Sequence, residues 1–417
     1  MAASATSNGR AILLDARASA LLAGRMNFLW FHLMPYRFLP DDFRRTNRSV
    51  WVDIPQRYYD PPTGHHLYHE FLDELEHADQ LGFHSICVNE HHQNGYGMMP
   101  SPNLMAAALA RRALTANICV MGNSIALYNP PIRVAEEFAM LDVLSGGRLI
   151  AGFPVGTSMD SNFCYGVNPA TLRDRYLEAH DLIMKAWTTR EPFAFNGKYT
   201  QLRYVNLWPR PVQQPHPPVW IPGGGSVETW DFCIQHDYVY SYLSFLGYQH
   251  GKRLMDQFWE RAAKLGRAGT PYQGGFAQAI CVGETDADAE REYKEHVLYF
   301  YNRCLHVFPG FAEAPGYRTV KTLKKEFLSQ VAAAGQIADE TLSWGDIVER
   351  GYVIAGSPAT VRDRLRALAE GLHVGQLMCL FQIGSMPKPL VMKNTELFAR
   401  EVMPQLRGLW PGHTDRW

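Results

Sequence analysis

The sequence predicts an α/β fold, a (β/α)8 TIM barrel with insertions at its rim. Eight short apolar runs recur along the 417-residue chain, and patterns of helical periodicity follow them. Strands that alternate with helices form βαβ units with a parallel sheet, and eight such units can close into a barrel. A content of 47% hydrophobic and 19% charged residues allows a large core. The apolar runs are 26–34, 83–88, 118–126, 148–153, 219–221, 238–243, 276–282 and 376–383.

Helix boundaries between these strands follow from caps and periodicity. One helix is predicted over 68–81, where apolar side chains recur at helical spacing until Gly82. A second is predicted over 131–144, because it begins with a proline and is followed by two glycines. A third ends at Leu368 and begins after Ser357, whose hydroxyl suits an N-cap.

The predicted domain organisation is a single barrel with additions. The barrel spans 26–407, preceded by an N-terminal extension, 1–25, and followed by a C-terminal tail, 408–417. Insertions that follow strands collect at the carboxyl-end rim of a barrel, so those near 35–66 and 309–350 are expected beside the pocket. The third insertion, near 197–218, precedes its strand and is expected to be structural. A helical pattern runs over 323–334 within the last insertion.

Charge and cysteine content restrict the class of protein. A net charge of -1 and a pI near 7.0 argue against a binder of nucleic acid or of acidic membranes. Seven cysteines occur without a C-x-x-C pair, as expected in a reducing compartment. No segment fits a secretion signal or a membrane span, so we expect a cytoplasmic protein. Four cysteines lie inside predicted strands: Cys87, Cys119, Cys281 and Cys379.

Four polar residues follow directly after the end of the second predicted strand. Asn89, Glu90, His91 and His92 follow the apolar run 83–88 directly. A buried parallel strand that ends in this way delivers polar side chains into a site at the rim. Histidines in a solvated loop are the alternative.

A metal site is the first alternative chemistry for these histidines. His91 and His92 are adjacent and point apart in an extended chain, whereas metal ligands on one strand need a His-x-His spacing. His65 and His69 have helical spacing, but the second histidine of a zinc protease motif would fall at Asp73. The sequence therefore disfavours a metal.

A glycine run after the fifth strand predicts an anion site. Residues 223–225 are glycines, Ser226 follows, and a helix begins near Val227. Unencumbered backbone amides, a hydroxyl and a helix N-terminus suit a phosphate, although a flexible turn is the alternative. The third glycine of a dinucleotide fingerprint would fall at Glu228, so a monophosphate such as FMN fits better than NAD.

Two further strand ends offer similar features. Gly122 and Asn123 end the third strand, where small or polar residues permit close approach of a flat ring. The fourth strand ends in the segment 152–157, and Tyr176 lies on the following helix, where it could reach the same rim. Plain turns and ordinary packing are the alternatives.

Together these residues resemble the bacterial luciferase-like, flavin-dependent monooxygenase family. Ordered matches extend from about residue 26 to 407 and are jointly specific. The matching motifs are Asn89 to His92, Pro131 to Glu137, Leu141-Asp142, Ser145 to Leu149, Gly152 to Gly156, Pro209 to Pro211, Pro217 to Ile221 with the glycine run, Gly356 to Pro358, and Glu401 to Pro404.

The resemblance implies a barrel that binds FMN at its C-terminal rim. In many members reduced flavin, often supplied by a separate reductase, reacts with oxygen to oxygenate a substrate. His91 matches the family's catalytic histidine, and a near-neutral titration suits it to proton transfer. Glu90 and His92 are expected to orient His91.

The resemblance also carries over cofactor-binding positions. The luciferases have an arginine at the Val155 position, so their usual phosphate partner is missing, and Arg175 could substitute for it. The positions that match flavin contacts are Asn123, Val155, Gly156, Tyr176, Gly224, Gly225 and Ser226.

The leading hypothesis is therefore the oxygenase component of a two-component, FMN-dependent monooxygenase. The chain lacks a dinucleotide fingerprint, so a partner flavin reductase is expected, and the protein is expected to be a homodimer or higher homo-oligomer. Aromatic residues in the insertion 35–66 favour a flat or apolar substrate, including an N-heteroaromatic ring. The alternatives are a deazaflavin-dependent oxidoreductase on the same fold, a non-catalytic flavin-binding protein and, less favoured, a metallohydrolase.

Overall fold

Eight parallel strands close into a barrel in the computed structural model, which describes residues 24–243, 245–320 and 342–417. The strand order around the barrel is β1-β2-β3-β4-β7-β8-β9-β11, and β11 pairs with β1 to close it. The predicted TIM barrel is confirmed, and each of the eight apolar runs contributes one barrel strand. The strands are β1 (Asn27–Phe31), β2 (Ser85–Val88), β3 (Asn117–Val120), β4 (Leu149–Gly152), β5 (Phe193–Asn196), β6 (Gln201–Val205), β7 (Val219–Gly223), β8 (Val239–Tyr242), β9 (Gly274–Val282), β10 (Val353–Gly356) and β11 (Gln376–Leu380).

Helices cover the outside of the barrel. They are α1 (Phe43–Thr46), α2 (Pro61–Gln80), α3 (Pro102–Arg112), α4 (Ile132–Ser145), α5 (Pro169–Thr188), α6 (Val227–His236), α7 (Gly247–Lys264), α8 (Asp286–Tyr299), α9 (Pro309–Ala312), α10 (Trp344–Glu349), α11 (Pro358–Leu372), α12 (Lys388–Leu397) and α13 (Met403–Leu406). Short π-helical segments lie at Met159–Cys164, Phe300–Cys304 and Phe398–Val402.

The barrel strands are buried on both faces, which explains their continuous apolar sequences. Trp30 points outward, where its indole N–H donates to Thr395 Oγ1 of α12 at 3.1 Å. Cys87 and Cys119 are register neighbours on β2 and β3. All seven cysteines are free thiols.

Helix α2 begins seven residues earlier than the predicted helix 68–81, and this is a correction. Asp60 caps the helix by accepting from the Thr63 N–H at 2.9 Å, and Pro61 and Pro62 occupy its first turn. Residues 61–66 of the predicted insertion 35–66 are therefore helical, because the Asp60-Pro61 start of the helix comes before its apolar periodicity begins. The other two predicted helices correspond to α4, which ends at Gly146 with φ 70°, and to α11, capped by Ser357.

The insertions contain further structure. Residues 193–205 form the antiparallel β5–β6 hairpin, whose second strand lies inside the predicted insertion 197–218. Strand β10, which was not predicted, pairs with the end of β9 outside the closed barrel. Residues 1–23 and the helical pattern at 323–334 lie outside the described residues.

The C-terminal tail covers the amino end of the barrel. Asp415 Oδ2 accepts from Asn27 Nδ2 at 2.5 Å and from Gln376 Nε2 at 3.3 Å. Trp417 donates its indole N–H to the carbonyl of Asp237 at 2.6 Å. The opposite, carboxyl end of the barrel therefore carries the candidate site. Within the described ranges, no helix has the length and apolar character needed to span a membrane.

Candidate active site

His91 lies in the loop after β2 and is held by an aspartate from the loop after β4. His91 Nδ1 is 2.9 Å from Asp160 Oδ2, and 14% of the His91 side chain is exposed against 3% of Asp160. No described residue forms a hydrogen bond with His91 Nε2. A carboxylate on Nδ1 fixes that nitrogen as the donor, so Nε2 is left as the proton acceptor.

Asp160 is buried but remains an anion because donors surround it. Besides His91, its oxygens accept from the His92 backbone N–H at 2.8 Å, from Thr157 Oγ1 at 2.8 Å and from Trp51 Nε1 at 3.0 Å. Burial acts to raise the pKa of Asp160, but the charge of His91 and the hydrogen bonds from His91, His92 and Thr157 outweigh it and lower the pKa.

The side chains of Glu90 and His92 form a network that does not include the His91 side chain, so of these two residues only His92 contacts the His91–Asp160 pair, through its backbone N–H to Asp160. His92 Nε2 bonds Glu90 Oε1 at 2.9 Å. Glu90 Oε2 accepts from the Ser124 backbone N–H at 2.6 Å and from Asn123 Nδ2 at 3.2 Å. Successive side chains point to opposite sides of an extended chain, so Glu90 and His92 share a side that excludes His91.

Asn123 lies beside this network at the end of β3. It is fully buried, and its Nδ2 also donates to the Tyr128 hydroxyl at 2.8 Å. Its Oδ1 has no hydrogen-bond partner among the described residues. A buried acceptor without a partner is costly, so this atom is suited to an N–H donor from a ligand.

The glycine loop lies where β7 meets α6, at the same rim. A side chain at Gly224 would meet no atom within 4 Å, and Gly225 has φ +116°. Ser226 is the N-cap of α6 but makes no side-chain cap hydrogen bond. The first amides of a helix lack intrahelical acceptors, so this loop can accept an anion.

The cation beside this loop is Arg173, not Arg175 as the sequence suggested. Arg173 Nη2 donates to Ser226 Oγ at 3.3 Å. Arg175 instead lies over the ring of Tyr199, 4.6 Å from its centroid. Two residues along a helix differ by about 200° in direction, so only one of the two can face the loop.

The remaining predicted cofactor positions differ in their accessibility. Val155 is partly exposed after β4, and the carbonyl of Gly156 accepts from the Tyr317 hydroxyl at 2.6 Å. A Cβ on Gly156 would lie 2.3 Å from Ser161 Oγ, so this position requires glycine. Tyr176 is 1% exposed and donates its hydroxyl to the carbonyl of Phe153 at 2.9 Å. The structure thus places Tyr176 beneath the rim loop.

Aromatic rings surround His91. Trp51 meets the His91 ring edge-on with centroids 4.8 Å apart, and Tyr96 lies 5.1 Å from it. Behind Tyr96 lie Phe245 and Phe300, each with its ring centroid 6.1 Å away. The wall is therefore apolar and built from four separate segments.

The sequence did not point to Asp160 or Arg173, and it gave Trp51 no specific role. The segment singled out after β4 ended at residue 157, three residues before Asp160. A helical pattern could have favoured Arg173, because it lies three residues before Tyr176 and therefore on the same face. No local pattern distinguishes Trp51 from the other aromatic residues of its insertion.

In the part of the chain that the structure describes, no group of three or more His, Cys, Asp or Glu side chains could hold a metal ion.

The fold and site define a barrel protein that has a histidine–aspartate pair and a glycine loop at a helix N-terminus on one rim. The sequence profile of the family described as luciferase-like monooxygenase matches residues 50–374. The chain therefore belongs to the luciferase-like monooxygenase family, a family of oxidoreductases. The resemblance inferred from the motifs is confirmed.

Similar curated proteins include named monooxygenases. The oxygenase component of the flavin-dependent trigonelline monooxygenase of Acinetobacter baylyi is 30% identical over 193 residues, covering 45% of this chain and 51% of that protein. An uncharacterised protein, y4wF, of Sinorhizobium fredii is 34% identical over 161 residues, covering 38% of this chain and 46% of that protein. The chain thus matches about half the length of these two relatives. The 4-hydroxyprotoasukamycin monooxygenase of Streptomyces nodosus subsp. asukaensis is 33% identical over 351 residues, covering 82% and 88% of the two chains.

Solved structures share the fold at lower identity. The oxygenating constituent of 3,6-diketocamphane monooxygenase from Pseudomonas putida, in complex with FMN, superposes with a TM-score of 0.68 at 19% identity, covering 93% of this chain and 100% of that one. An F420-dependent secondary alcohol dehydrogenase superposes with a TM-score of 0.62 at 16% identity, covering 92% and 99%. The first of these structures contains FMN, and the second is named for F420.

Proposed function

We propose that this protein is the oxygenase component of a two-component, FMN-dependent monooxygenase that acts on a small organic substrate. The observation that carries the proposal is the contact between His91 Nδ1 and Asp160 Oδ2, at 2.9 Å. It leaves His91 Nε2 without a hydrogen-bond partner among the described residues, at the same rim as the glycine loop. Such an imidazole can accept and return a proton at one defined nitrogen.

The residues at the rim fit FMN. Arg173, Ser226 and the first amides of α6 would hold its phosphate, with Gly224 and Gly225 leaving room for close approach. Asn123 Oδ1 offers an unpaired acceptor for a ring N–H. Val155 and Gly156 line the rim between these two points, whereas Tyr176 supports the loop from below. Reduced FMN, when bound, supplies the electrons with which dioxygen is activated.

The protein's own residues then orient the substrate, exclude water and move protons. Asp160 keeps the proton of His91 on Nδ1, so exchange with substrate takes place at Nε2. The aromatic wall excludes water from the space around this nitrogen. Removal of His91 is therefore expected to stop oxygenation while FMN still binds.

The aromatic wall also supports an apolar or aromatic substrate, including an N-heterocycle. Trp51 and Tyr96 present stacked rings, with centroids 4.9 Å apart and planes at 23°. Flat rings pack favourably against such a surface. The relative from Acinetobacter baylyi is named for trigonelline, which agrees with this substrate class.

We further propose a partner flavin reductase, a cytoplasmic location and a homodimer. One relative is named as an oxygenase component, which supports the reductase, and seven free thiols suit a reducing compartment. Leu104 on α3 and Met140 and Leu144 on the neighbouring α4 are at least half exposed, which supports self-association there. Light scattering should give twice the 47.3 kDa chain mass, and a monomeric mass at micromolar concentration would contradict the dimer.

The cofactor assignment is tested by comparing two arginine variants. Arg173→Ala should weaken binding of FMN, measured by fluorescence quenching, about 10-fold or more, because a charge-assisted contact to phosphate is lost. Arg175→Ala is the matched control and should bind FMN within about twofold of the wild type. Equal losses in both variants would place the phosphate elsewhere.

The reaction class is tested with reduced FMN, oxygen and a panel of aromatic and N-heteroaromatic compounds. Substrate-dependent oxygen uptake with incorporation of one oxygen atom from ¹⁸O₂ is the expected result. Hydride transfer with a reduced deazaflavin, without oxygen uptake, would instead favour the alternative oxidoreductase. FMN binding without turnover on any compound, and with no effect of His91→Ala, would favour a non-catalytic flavin-binding protein.

A further inference from the structure

Unusual backbone conformations collect where the insertion after β1 meets the histidine loop. Five non-glycine residues in the described ranges have positive φ. Asp237 and His373 are left-handed C-caps of helices, an ordinary use of this conformation. The other three are Met34 and Val52, in the segment after β1, and Gln93, in the histidine loop, at φ 54°, 69° and 49°.

Val52 and Gln93 belong to a short antiparallel ladder formed by residues 50–52 and 93–95. The Val52 N–H donates to the carbonyl of Gln93 at 2.9 Å, and the Gly95 N–H donates to the carbonyl of Val50 at 3.0 Å. The Asp53 N–H donates to the carbonyl of Trp51 at 2.9 Å, which makes Val52 the centre of a three-residue turn. A β-branched residue rarely adopts positive φ, so surrounding contacts must maintain this turn.

The ladder holds the indole of Trp51 at a fixed place. Its Nε1–H donates to Asp160 Oδ1 at 3.0 Å, and its ring stacks on Tyr96 and meets His91 edge-on. On the outer side, the Val50 N–H donates to the carbonyl of His306 at 2.8 Å. Trp51 is 3% exposed, so it is a buried wall residue.

Val52 and Gln93 line a cavity of about 270 Å³, and neither His91 nor Trp51 belongs to its lining. Tyr59, from the same insertion, also lines that cavity and supplies an internal control.

We propose that Trp51 is a positioning residue for proton transfer at His91, acting through Asp160. The proposal rests on the proposed function, because it assigns His91 the proton transfer. Trp51 and the His92 backbone N–H engage Asp160 Oδ1, so Oδ2 is directed to His91 and Thr157. The strained turn at Val52 is retained because it places the indole N–H on that carboxylate.

The variant Trp51→Phe tests the role of the indole N–H, since it keeps an aromatic ring in the wall. Asp160 with one donor fewer attracts the His91 proton more strongly, so the acidic limb of the kcat–pH profile should move to higher pH by about half a unit. We expect kcat to fall about 10-fold, with little change in KM for the substrate. Tyr59→Phe, which removes a polar hydrogen from the same insertion, should leave both quantities unchanged.

A double-mutant cycle separates positioning from packing. In an Asp160→Asn background, Trp51→Phe should cause less than about a twofold further change in kcat, because its partner carboxylate is gone. A full 10-fold loss in that background, or an unshifted pH limb in the single variant, would overturn the proposal.

A spectroscopic readout on protein without flavin distinguishes failure of this inference from failure of the proposed function. The ¹⁵N resonances of the His91 ring should show protonated Nδ1 in both the wild type and Trp51→Phe, and in the variant their pH dependence should move to higher pH by about the same half unit as the kcat–pH profile. If Trp51→Phe does not fold, the wild-type indole N–H resonance of Trp51 is compared with that in Asp160→Asn. A shift of that resonance supports the contact between Trp51 and Asp160, and an unshifted resonance overturns the proposal. Neither outcome depends on turnover with FMN.

Discussion

Two histidine–carboxylate pairs lie at the ends of adjacent strands, and the pKa values of their carboxyl groups are shifted in opposite directions. His32 after β1 is 3.0 Å from Glu74 of α2, and His91 after β2 is 2.9 Å from Asp160. Both side chains of the first pair have 0% exposure. The distances between imidazole nitrogen and carboxyl oxygen are therefore nearly equal in the two pairs, although the surroundings of the pairs differ.

Burial dominates the first pair. It raises the pKa of Glu74 to about 8 and, together with Arg37, lowers the pKa of His32. Glu74 Oε1 has no hydrogen-bond partner among the described residues, and Arg37 Nη2 is 4.0 Å from it. His32 Nδ1 accepts the Met34 backbone N–H at 2.9 Å, so its proton resides on Nε2. The pair is thus neutral at pH 7 and serves packing.

In the second pair, hydrogen-bond donors around Asp160 outweigh the effect of burial on its pKa. The carboxylate of Asp160 accepts from four groups and stays charged despite its burial. The comparison shows that the number of hydrogen-bond donors, rather than the depth of burial, determines whether a buried carboxylate can support an imidazolium.

The largest expected effect comes from removing the charge of each carboxylate in turn. Asp160→Asn should lower kcat for oxygenation about 100-fold, because the imidazolium loses its anion and Nδ1 loses its preferred acceptor. Glu74→Gln is the matched control and should keep kcat within about twofold, since Glu74 is already neutral. Oxygen uptake with reduced FMN measures both, after FMN binding is shown to be intact. Equal losses would mean that the two pairs do not differ as described.

A smaller effect is expected in the pH dependence of stability. The folded-state pKa of Glu74, about 8, lies above its ordinary value of 4.5, so the folded state holds a proton that the unfolded state releases. Stability from this group is present at low pH and is lost as pH rises toward 8. An unfolded histidine, with an ordinary pKa of 6.5, is half protonated at pH 6.5 and loses its remaining charge as the pH rises, so His32 opposes this trend only weakly above pH 6.5.

We therefore expect the wild type to lose about 1 kcal/mol of unfolding free energy between pH 6.5 and 8 through Glu74. Glu74→Gln should abolish that part of the slope. Urea unfolding at several pH values measures it, with Asp160→Asn as the comparison, because Asp160 titrates only in acid. An unchanged slope in Glu74→Gln would show that Glu74 is ionised in the folded protein.

Much of the barrel could be predicted from local sequence, and the site only in outline. The eight strands were predictable because apolar runs and helical periodicity report burial of each segment separately. The anion loop was predictable because it is continuous in sequence. The missed strand β10 directly follows a region taken as an insertion and lies outside the closed barrel.

The sequence by itself determined the alternation of strands and helices, the loops at the carboxyl ends and the presence of His91 there. Only the tertiary structure decided which partners meet. Asp160 lies 69 residues from His91, and the choice of Arg173 over Arg175 depends on the rotation of α5 against β7. Local patterns report whether a segment is helical or buried, but side-chain pairing between distant segments depends on packing of the whole barrel. That packing sets the distances and directions on which the chemistry of His91 rests.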